Sequence, residues 1–190
     1  LSVAVLPFVP RGSDEESKAL ADGLTDDITS GLSRFGYLRV LSRSTLERLG
    51  REHREIHTQA RYAIEGHVRR SGTEVRVGVT LVDTETGSNL WTQSYDRDSS
   101  AGTFQLQDDV ASSVVATIGD QTGVLVRAMA LWIAEKPLDE LTVAELLVRY
   151  HLYTENFDPT DHALLRDAFE RRLEREPRAA DGWACLAMLY

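Results

Sequence analysis

The chain has 190 residues, of which 42% are hydrophobic and 27% charged, a composition typical of a globular protein long enough for one domain and part of another. Its 21 basic and 30 acidic residues give a net charge of -9, which disfavours nonspecific binding to nucleic acid or to an anionic membrane surface. A single cysteine, Cys185, excludes an internal disulfide framework and a multi-cysteine zinc site.

The first fifty residues predict two strand and helix pairs. LSVAVLPF is apolar at nearly every position, as a strand buried on both faces would be, and the leucines and isoleucine that follow recur at helical spacing. YLRVLS predicts the second strand and STLERLG a short helix. We expect capping boxes at Ser13 with Glu16 and at Ser44 with Glu47, and we expect the short helix to end at Gly50.

From Tyr62 the apolar period changes to two, which predicts antiparallel strands with one exposed face. SGT and TETG supply turns between three such strands, of which SNLWTQSYDRD is the last. TFQLQDDVASSVVATIG then predicts a helix with one apolar side, including Phe104 and Leu106. The expected fold of residues 1–120 is α/β: a mixed five-stranded sheet with flanking helices in the order βαβαβββα.

The remaining residues predict helices only. Residues 121–141 are expected to form a connecting helix and linker that break at Pro137. Thr142 with Glu145 has the spacing of a capping box, and Asp158 followed by Pro159 predicts the start of the next helix. Residues 142–190 therefore form the all-α part of the chain.

The last eight residues, WACLAMLY, place large and small side chains at the offsets found in tetratricopeptide (TPR) repeats. If Pro177 ends one repeat, the next should place an aromatic residue, a leucine, a small residue and a tyrosine at fixed positions. The residues that match are Trp183, Leu186, Ala187 and Tyr190. Residues 142–190 are predicted to be a divergent TPR unit and the first helix of the next repeat, the start of an array that continues in a longer protein.

Several stretches also resemble a known family. AVLPF, LADGLTDDITSGLSRF, RYAIEGHVRRSGTEVRVGVTLVDTETGSNLWTQSYDRD and FQLQDDVASSV are similar to the TolB-like amino-terminal domain of multidomain bacterial regulators. The resemblance covers residues 1 to about 120. It implies a neighbouring class III adenylate cyclase or winged-helix DNA-binding domain (CadC-like) and following TPR repeats, and it carries no catalytic residues. REHREIHTQA departs from the family pattern by being shorter and more charged.

No metal or cofactor site is expected. His53 and His57 share a helical face but have no third ligand, and Asp22 with Asp26 is more simply a solvated pair of carboxylates. The loop before the first helix occupies a position where α/β folds hold phosphate, but the acidic residues that follow would repel an anion. No cofactor-binding residue is assigned.

Other conspicuous side chains have ordinary interpretations. His67 is interpreted as a solvated sheet residue and Cys185 as a small core residue. Trp91 and Tyr95 share one face of a strand, and packing is expected there in preference to an exposed aromatic patch. A run of arginines is interleaved with glutamates and is not expected to bind nucleic acid. Its members are Arg39, Arg43, Arg48, Arg51 and Arg54.

The sequence therefore predicts a non-catalytic regulatory and protein-interaction segment of a larger bacterial signalling protein. A protein partner is expected in the groove of the helical array, where helix geometry selects Tyr150, Tyr153 and Met188. This segment is not expected to bind nucleic acid directly or to insert into a membrane, and a homo-oligomer is left open. A cytoplasmic location is expected, or a periplasmic one if a membrane span precedes the segment.

Two alternatives remain open. The sheet domain could be a small-ligand-binding sensor that controls an adenylate cyclase domain, or the chain could belong to an envelope-associated assembly protein. A thermal shift on ligand addition would favour the first. A signal peptide or a membrane span in the full-length sequence would favour the second.

Overall fold

The computed structural model describes residues 2–49, 59–120 and 123–190. It divides the chain into two compact units, Ser2–Gly119 and Asp120–Tyr190. We call the first the sheet unit and the second the helical unit.

The sheet unit is built on six strands. They are β1 Ser2–Val5, β2 Val9–Pro10, β3 Arg39–Val40, β4 Tyr62–Ser71, β5 Glu74–Asp83 and β6 Asn89–Asp98. Their order is β3-β1-β4-β5-β6, with β2 also paired to β4. β1 is parallel to β3 and β4, whereas β4, β5 and β6 form an antiparallel meander. The predicted mixed α/β architecture is confirmed.

The predicted strand number was wrong by one, because β2 was missed. This two-residue strand runs parallel to β4 and pairs Val9 with His67 and Pro10 with Val68. Two residues are too few to show any apolar period, and a proline usually argues against a strand. Pro10 is tolerated because β2 has a neighbour on one side only in the described sheet.

Among the described residues, three α-helices accompany the sheet: α1 Glu15–Leu32, α2 Arg43–Leu49 and α3 Thr103–Gly119. α1 and α3 pack against each other, and α1 buries the leucines and isoleucine expected from the sequence. α3 buries Leu106 and Val110, but Phe104 is 83% exposed and was wrongly placed on the apolar side. Phe104 is the second residue of α3, ahead of the point at which the helix contributes buried residues.

The caps of the first two helices differ from those predicted. Asp14, not Ser13, caps α1, since its Oδ1 accepts the backbone N–H of Ser17 at 2.7 Å. Before α2, the hydroxyl of Ser42, not Ser44, accepts the backbone N–H of Thr45 at 3.3 Å. In both places two residue types that favour the N-cap position lie close together, and the prediction from the capping-box spacing selected the wrong one. Gly50 lies outside the described residues.

The helical unit contains α4 Val124–Ile133, α5 Val143–Asn156, α6 Pro159–Arg175 and α7 Ala180–Met188. α5, α6 and α7 pack against one another, and α4 packs on α5. The capping box of Thr142 and Glu145 is confirmed, as is the Asp158 cap with Pro159 in the first helical turn. The core includes Leu146, Leu165, Phe169, Leu173 and Leu186.

Among the described residues, the stretch Thr103–Ile133 is long and apolar enough to cross a membrane by length and composition. An 18-residue window within it has a mean hydropathy of 1.2, and 44% of that window is buried. The stretch comprises α3 and α4, each of which has a buried face. Core helices of proteins outside membranes pass the same test, so this finding alone assigns no membrane span.

Candidate functional site

A cleft of about 910 Å³ opens in the sheet unit at the carboxyl end of β1. Its floor is segment 5–11, and its walls come from α1, from Arg43 and Leu46 of α2, and from the middle of β4 and β5. Ligands of open α/β sheets bind outside the carboxyl ends of parallel strands, and small-molecule pockets commonly have volumes of roughly 300–1,000 Å³. Position and size make this cleft the candidate site.

The floor of the cleft is fixed by hydrogen bonds to the elements on either side. The backbone N–H of Leu6 donates to the carbonyl of Ile64 at 2.9 Å, and that of Phe8 donates to Thr25 Oγ1 at 3.0 Å. The Phe8 ring lies so close to Gly66 that a Cβ there would stand 2.3 Å from Phe8 Cε2. Glycine is therefore required at position 66, and the floor packs directly on β4.

Arg43 organises one wall of the cleft. Its guanidinium contacts Asp22 Oδ1 and Asp26 Oδ1, each at 3.3 Å, and so joins α2 to α1. These two carboxylates, weighed from the sequence as a metal-binding pair, are thus held beside a positive charge, which opposes a cation at that position. Because these groups are about half exposed, each pair contributes about 0–1 kcal/mol to stability.

The charges of the cleft are mixed in sign. Three basic and three acidic side chains line it, together with half-buried His67, whose ring lies across Gly78. The basic ones are Arg11, Lys18 and Arg43, and the acidic ones are Asp22, Asp26 and Glu65. With Leu6, Pro7 and Phe8 below them, these groups favour an uncharged or zwitterionic molecule with an apolar part.

The first turn of α1 is acidic, as the sequence analysis expected. The pKa of Asp14 is lowered by hydrogen bonds from the side chain and backbone of Ser17, so Asp14 is anionic at neutral pH. Glu15 and Glu16 follow it, and Glu16 pairs with Arg70. Carboxylates therefore occupy the position that a phosphate would take. Among the described residues, no group of three or more His, Cys, Asp or Glu side chains could hold a metal ion.

The other residues singled out from the sequence fall in several places. His53, His57, Arg51 and Arg54 lie outside the described residues. Trp91 and Tyr95 share a face of β6, where Tyr95 is only 5% exposed and Trp91 is half-buried, as packing requires. Burial, followed by the charge of Asp181, raises the pKa of Cys185 to about 11, so its thiol is protonated and unreactive at neutral pH.

The helical unit brings two of the three predicted partner residues together. The rings of Tyr150 and Tyr153 have centroids 6.3 Å apart, and Tyr150 also meets Phe169 at 6.5 Å. Met188, on α7, is 76% exposed. The structure places all three residues but does not test their role.

Sequence reasoning missed two aromatic neighbours of Tyr153. Its ring meets Phe157 at 5.5 Å and His162 at 5.7 Å, both edge to face. Phe157 ends α5 with φ 50°, in the left-handed region, and is 65% exposed. The four-residue spacing of Tyr153 and Phe157 was the available signal, because it places both on one helical face.

The family model for "HilA/YgeH-like transcriptional regulator, second domain" matches residues 1–113. A protein of Rhizobium meliloti (strain 1021) named "Putative adenylate cyclase 3" is 36% identical over 124 residues. That alignment covers 60% of this chain and 20% of the relative, so the matched part of this chain spans about a fifth of that longer protein.

Solved structures resemble part of the chain. Lipoprotein GNA1162 from Neisseria meningitidis is 19% identical with a TM-score of 0.44, and the match covers 60% of this chain and 96% of that one. TolB from Acinetobacter baumannii is 17% identical with a TM-score of 0.42 over 60% of this chain and 27% of that one. At these values the likenesses establish no function.

The expectation from the TolB-like resemblance is confirmed in part, because a regulator-domain family model matches and a relative is named as an adenylate cyclase. The TPR assignment stays a prediction. The family match spans well over half of the 190 residues and includes the cleft, the meander and most of α3. Through residues 1–113, this chain belongs to the HilA/YgeH-like transcriptional regulator second-domain family.

Proposed function

We propose that this chain is a non-catalytic regulatory segment of a larger bacterial signalling protein, of the transcriptional regulator or adenylate cyclase type. The observation that carries the proposal is the family match over residues 1–113, which assigns the sheet unit to a regulator's second domain. The cyclase-named relative supports a signalling context. The segment works in the cytoplasm, next to an effector domain whose output it modulates.

The helical unit acts as the start of a TPR-type array. Support comes from α5 and α6, which pack together across a short turn, and from α7, which packs on both. Gly182 allows that packing, since a Cβ there would lie 2.8 Å from Leu173 Cδ2 and 3.0 Å from Val143 Cγ1. The functional division is residues 1–120, a connecting segment 121–141 and the repeat region 142–190.

The TPR signature residues on α7 and just after its end divide between two surfaces. Leu186 is buried in the helical unit, whereas Trp183 and Tyr190 are exposed. Trp183 Nε1 donates to the carbonyl of Pro177 at 3.0 Å, and the hydroxyl of Tyr190 donates to Glu170. In the proposed array, a further helix would pack on that exposed side.

Tyr153 and Met188 are the residues whose substitution should reveal partner binding. In the full-length protein, expressed in a strain that lacks its own copy, Tyr153→Ala with Met188→Ala should change the regulatory output about fivefold or more, the effect of losing about 1 kcal/mol of binding free energy at the interface. Output is measured both as transcript levels and as cellular cyclic AMP, because these distinguish the two effector types. Leu131→Ala removes a comparably exposed side chain from α4 and should leave both unchanged.

Unchanged transcript levels and unchanged cyclic AMP in the double variant, at wild-type protein levels, would show that these residues hold no regulatory partner. An equal response to Leu131→Ala would show that the effect is not specific to the proposed surface.

A second function, small-ligand sensing by the sheet unit, is favoured by the cleft. A ligand present at about 100 times its Kd should stabilise the folded protein by about 2.7 kcal/mol, which is a shift of several degrees in Tm. Thr29→Phe fills space at the α1 wall and should abolish the shift. Ser112→Phe adds the same ring at an exposed position of α3, a helix that contributes no lining residue, and should preserve it. A shift that survives Thr29→Phe would place the ligand elsewhere.

A further inference from the structure

β6 forms an open edge of the sheet. It has ten residues, and in the described part of the chain it pairs with β5 only. Backbone groups on such an edge can form hydrogen bonds with another strand. The register of the meander identifies which groups are free to do so.

Two backbone hydrogen bonds show toward which neighbouring strand the N–H and C=O groups of successive residues in β5 point. The N–H of Asp83 donates toward β6, to the carbonyl of Ser88 at 2.9 Å, and that of Thr84 donates the opposite way, to Arg61 at 3.0 Å. Odd-numbered residues of β5 therefore face β6, and Val79 and Val77 are aligned with Gln93 and Tyr95. Because antiparallel strands alternate, the N–H and C=O of Thr92, Ser94 and Asp96 point to the open edge.

The side chains of this edge do little to discourage pairing. Natural proteins protect edge strands with lysine, proline, inward charges or short length. From Asn89 to Tyr95, the strand NLWTQSY carries no charge and no proline. The register shift in the pairing of β5 with β6 is confined to the start of β6, opposite Leu81 and Val82. The pairing is regular from Trp91 onward.

We propose that two copies of this chain associate through β6, antiparallel to each other about a two-fold axis at Ser94, and so continue the sheet across a dimer. In this register Ser94 faces Ser94 of the other copy, and Thr92 faces Asp96. Thr92, Ser94 and Asp96 then give six backbone hydrogen bonds across the axis. A two-fold interface of this kind closes and does not grow into a filament.

The side chains suit this register. Trp91 comes opposite Arg97 of the other copy, whose guanidinium pairs with Asp109 of its own chain, and Gln93 comes opposite Tyr95. On the polar face, the carboxylate of Asp96 comes opposite the hydroxyl of Thr92. No two like charges are placed opposite each other. A heterologous strand would have to reproduce this match, whereas a second copy supplies it by symmetry.

Replacing one outward-pointing amide tests the interface without breaking a backbone hydrogen bond between β5 and β6. The hydroxyl contact between Thr92 and Thr80, at 3.2 Å, is lost in Thr92→Pro and in Thr92→Val alike. Thr92→Pro removes an N–H that β5 does not accept, and proline is tolerated on edge strands. Thr92→Val retains the amide and serves as the matched control. Sedimentation of the full chain between about 1 μM and about 1 mM should give a dimer whose Kd rises at least about tenfold in Thr92→Pro and little in Thr92→Val.

A cross-link tests the register independently of whether Thr92→Pro folds. With Cys185→Ser as background, Ser94→Cys should give a disulfide-linked dimer on mild oxidation, while Gln93→Cys, displaced from the axis, should give much less. A wild-type chain that stays monomeric throughout this concentration range would overturn the proposal. So would a dimer insensitive to Thr92→Pro in folded protein, or equal cross-linking at the two positions.

Discussion

Phe169→Ala should destabilise the helical unit by about 3–5 kcal/mol, the usual cost of truncating a fully buried phenylalanine. Phe169 is 0% exposed, lies on α6 and meets the ring of Tyr150 on α5. Truncation removes transfer free energy and leaves a cavity between these helices. The unit has about 70 residues, and domains of that size have little stability to spare. We expect Tm to fall by more than 10 °C.

Tryptophan fluorescence can follow the helical unit separately. Trp132 and Trp183 lie in it, while Trp91 belongs to the sheet unit, so a Trp91→Phe background makes fluorescence a reporter of the helices. Leu164→Ala is the matched control, because Leu164 lies on the same helix but is exposed and should cost less than about 0.5 kcal/mol. Equal effects of the two substitutions would show that Phe169 is not a core residue.

Loss of Phe169 should also affect the proposed partner surface. Tyr150 rests edge-on against Phe169 and meets Tyr153, which in turn contacts Phe157 and His162. The exposed members of this aromatic cluster are therefore positioned through a buried ring. A variant that retains the fold near room temperature should still present Tyr153 in a less defined position.

The regular elements could be predicted because local pattern determines them. The apolar residues of α1 repeat at helical spacing over 18 residues, and the meander alternates over ten-residue strands. The cap at Thr142 was predicted correctly because both reciprocal partners stand at the required spacing without a rival. At Asp14 and Ser42, a competing capping residue nearby made the same rule fail.

The sequence singled out the loop before α1, where the cleft lies, but the lining of the cleft could not be predicted, because it depends on contacts between distant parts of the chain. Phe8 is held by Thr25 and covers Gly66, and Arg43 reaches Asp22 and Asp26. Each of these residues has an ordinary interpretation in its own local sequence. Even the solitary glycine in β4, which can signal a close approach, does not identify the phenylalanine that lies against it.

Glu145→Gln should destabilise the helical unit by about 1–3 kcal/mol at neutral pH, the cost of disrupting a buried charged hydrogen-bond group. Glu145 is 5% exposed. Its Oε1 accepts from Lys136 Nζ at 2.6 Å, and its Oε2 accepts from the backbone N–H and the hydroxyl of Thr142, each at 2.8 Å. The side chain therefore caps α5 and also joins it to the residues that follow α4.

The pH dependence of that stability follows from the direction of the shift. Burial alone would raise the pKa of Glu145, but the hydrogen bonds from Lys136 and Thr142 outweigh it and hold the pKa below the usual value for a glutamate. A carboxyl with a lowered pKa in the folded state contributes stability above its unfolded pKa and loses it as pH falls through the folded value. Glu145→Gln should therefore reduce Tm at pH 7 and flatten its decline under acid.

The control for this prediction is Glu140→Gln, since Glu140 is exposed just before α5 and no capping interaction depends on it. Trp132, whose ring lies 3.6 Å from Lys136 Nζ, reports the same junction by fluorescence. If Glu145→Gln and Glu140→Gln lower Tm equally at pH 7 and leave the same acid dependence, the charge on Glu145 does not hold α4 to α5. A loss specific to Glu145→Gln, vanishing below the folded pKa, would show that ionisation of this one carboxylate fixes the junction.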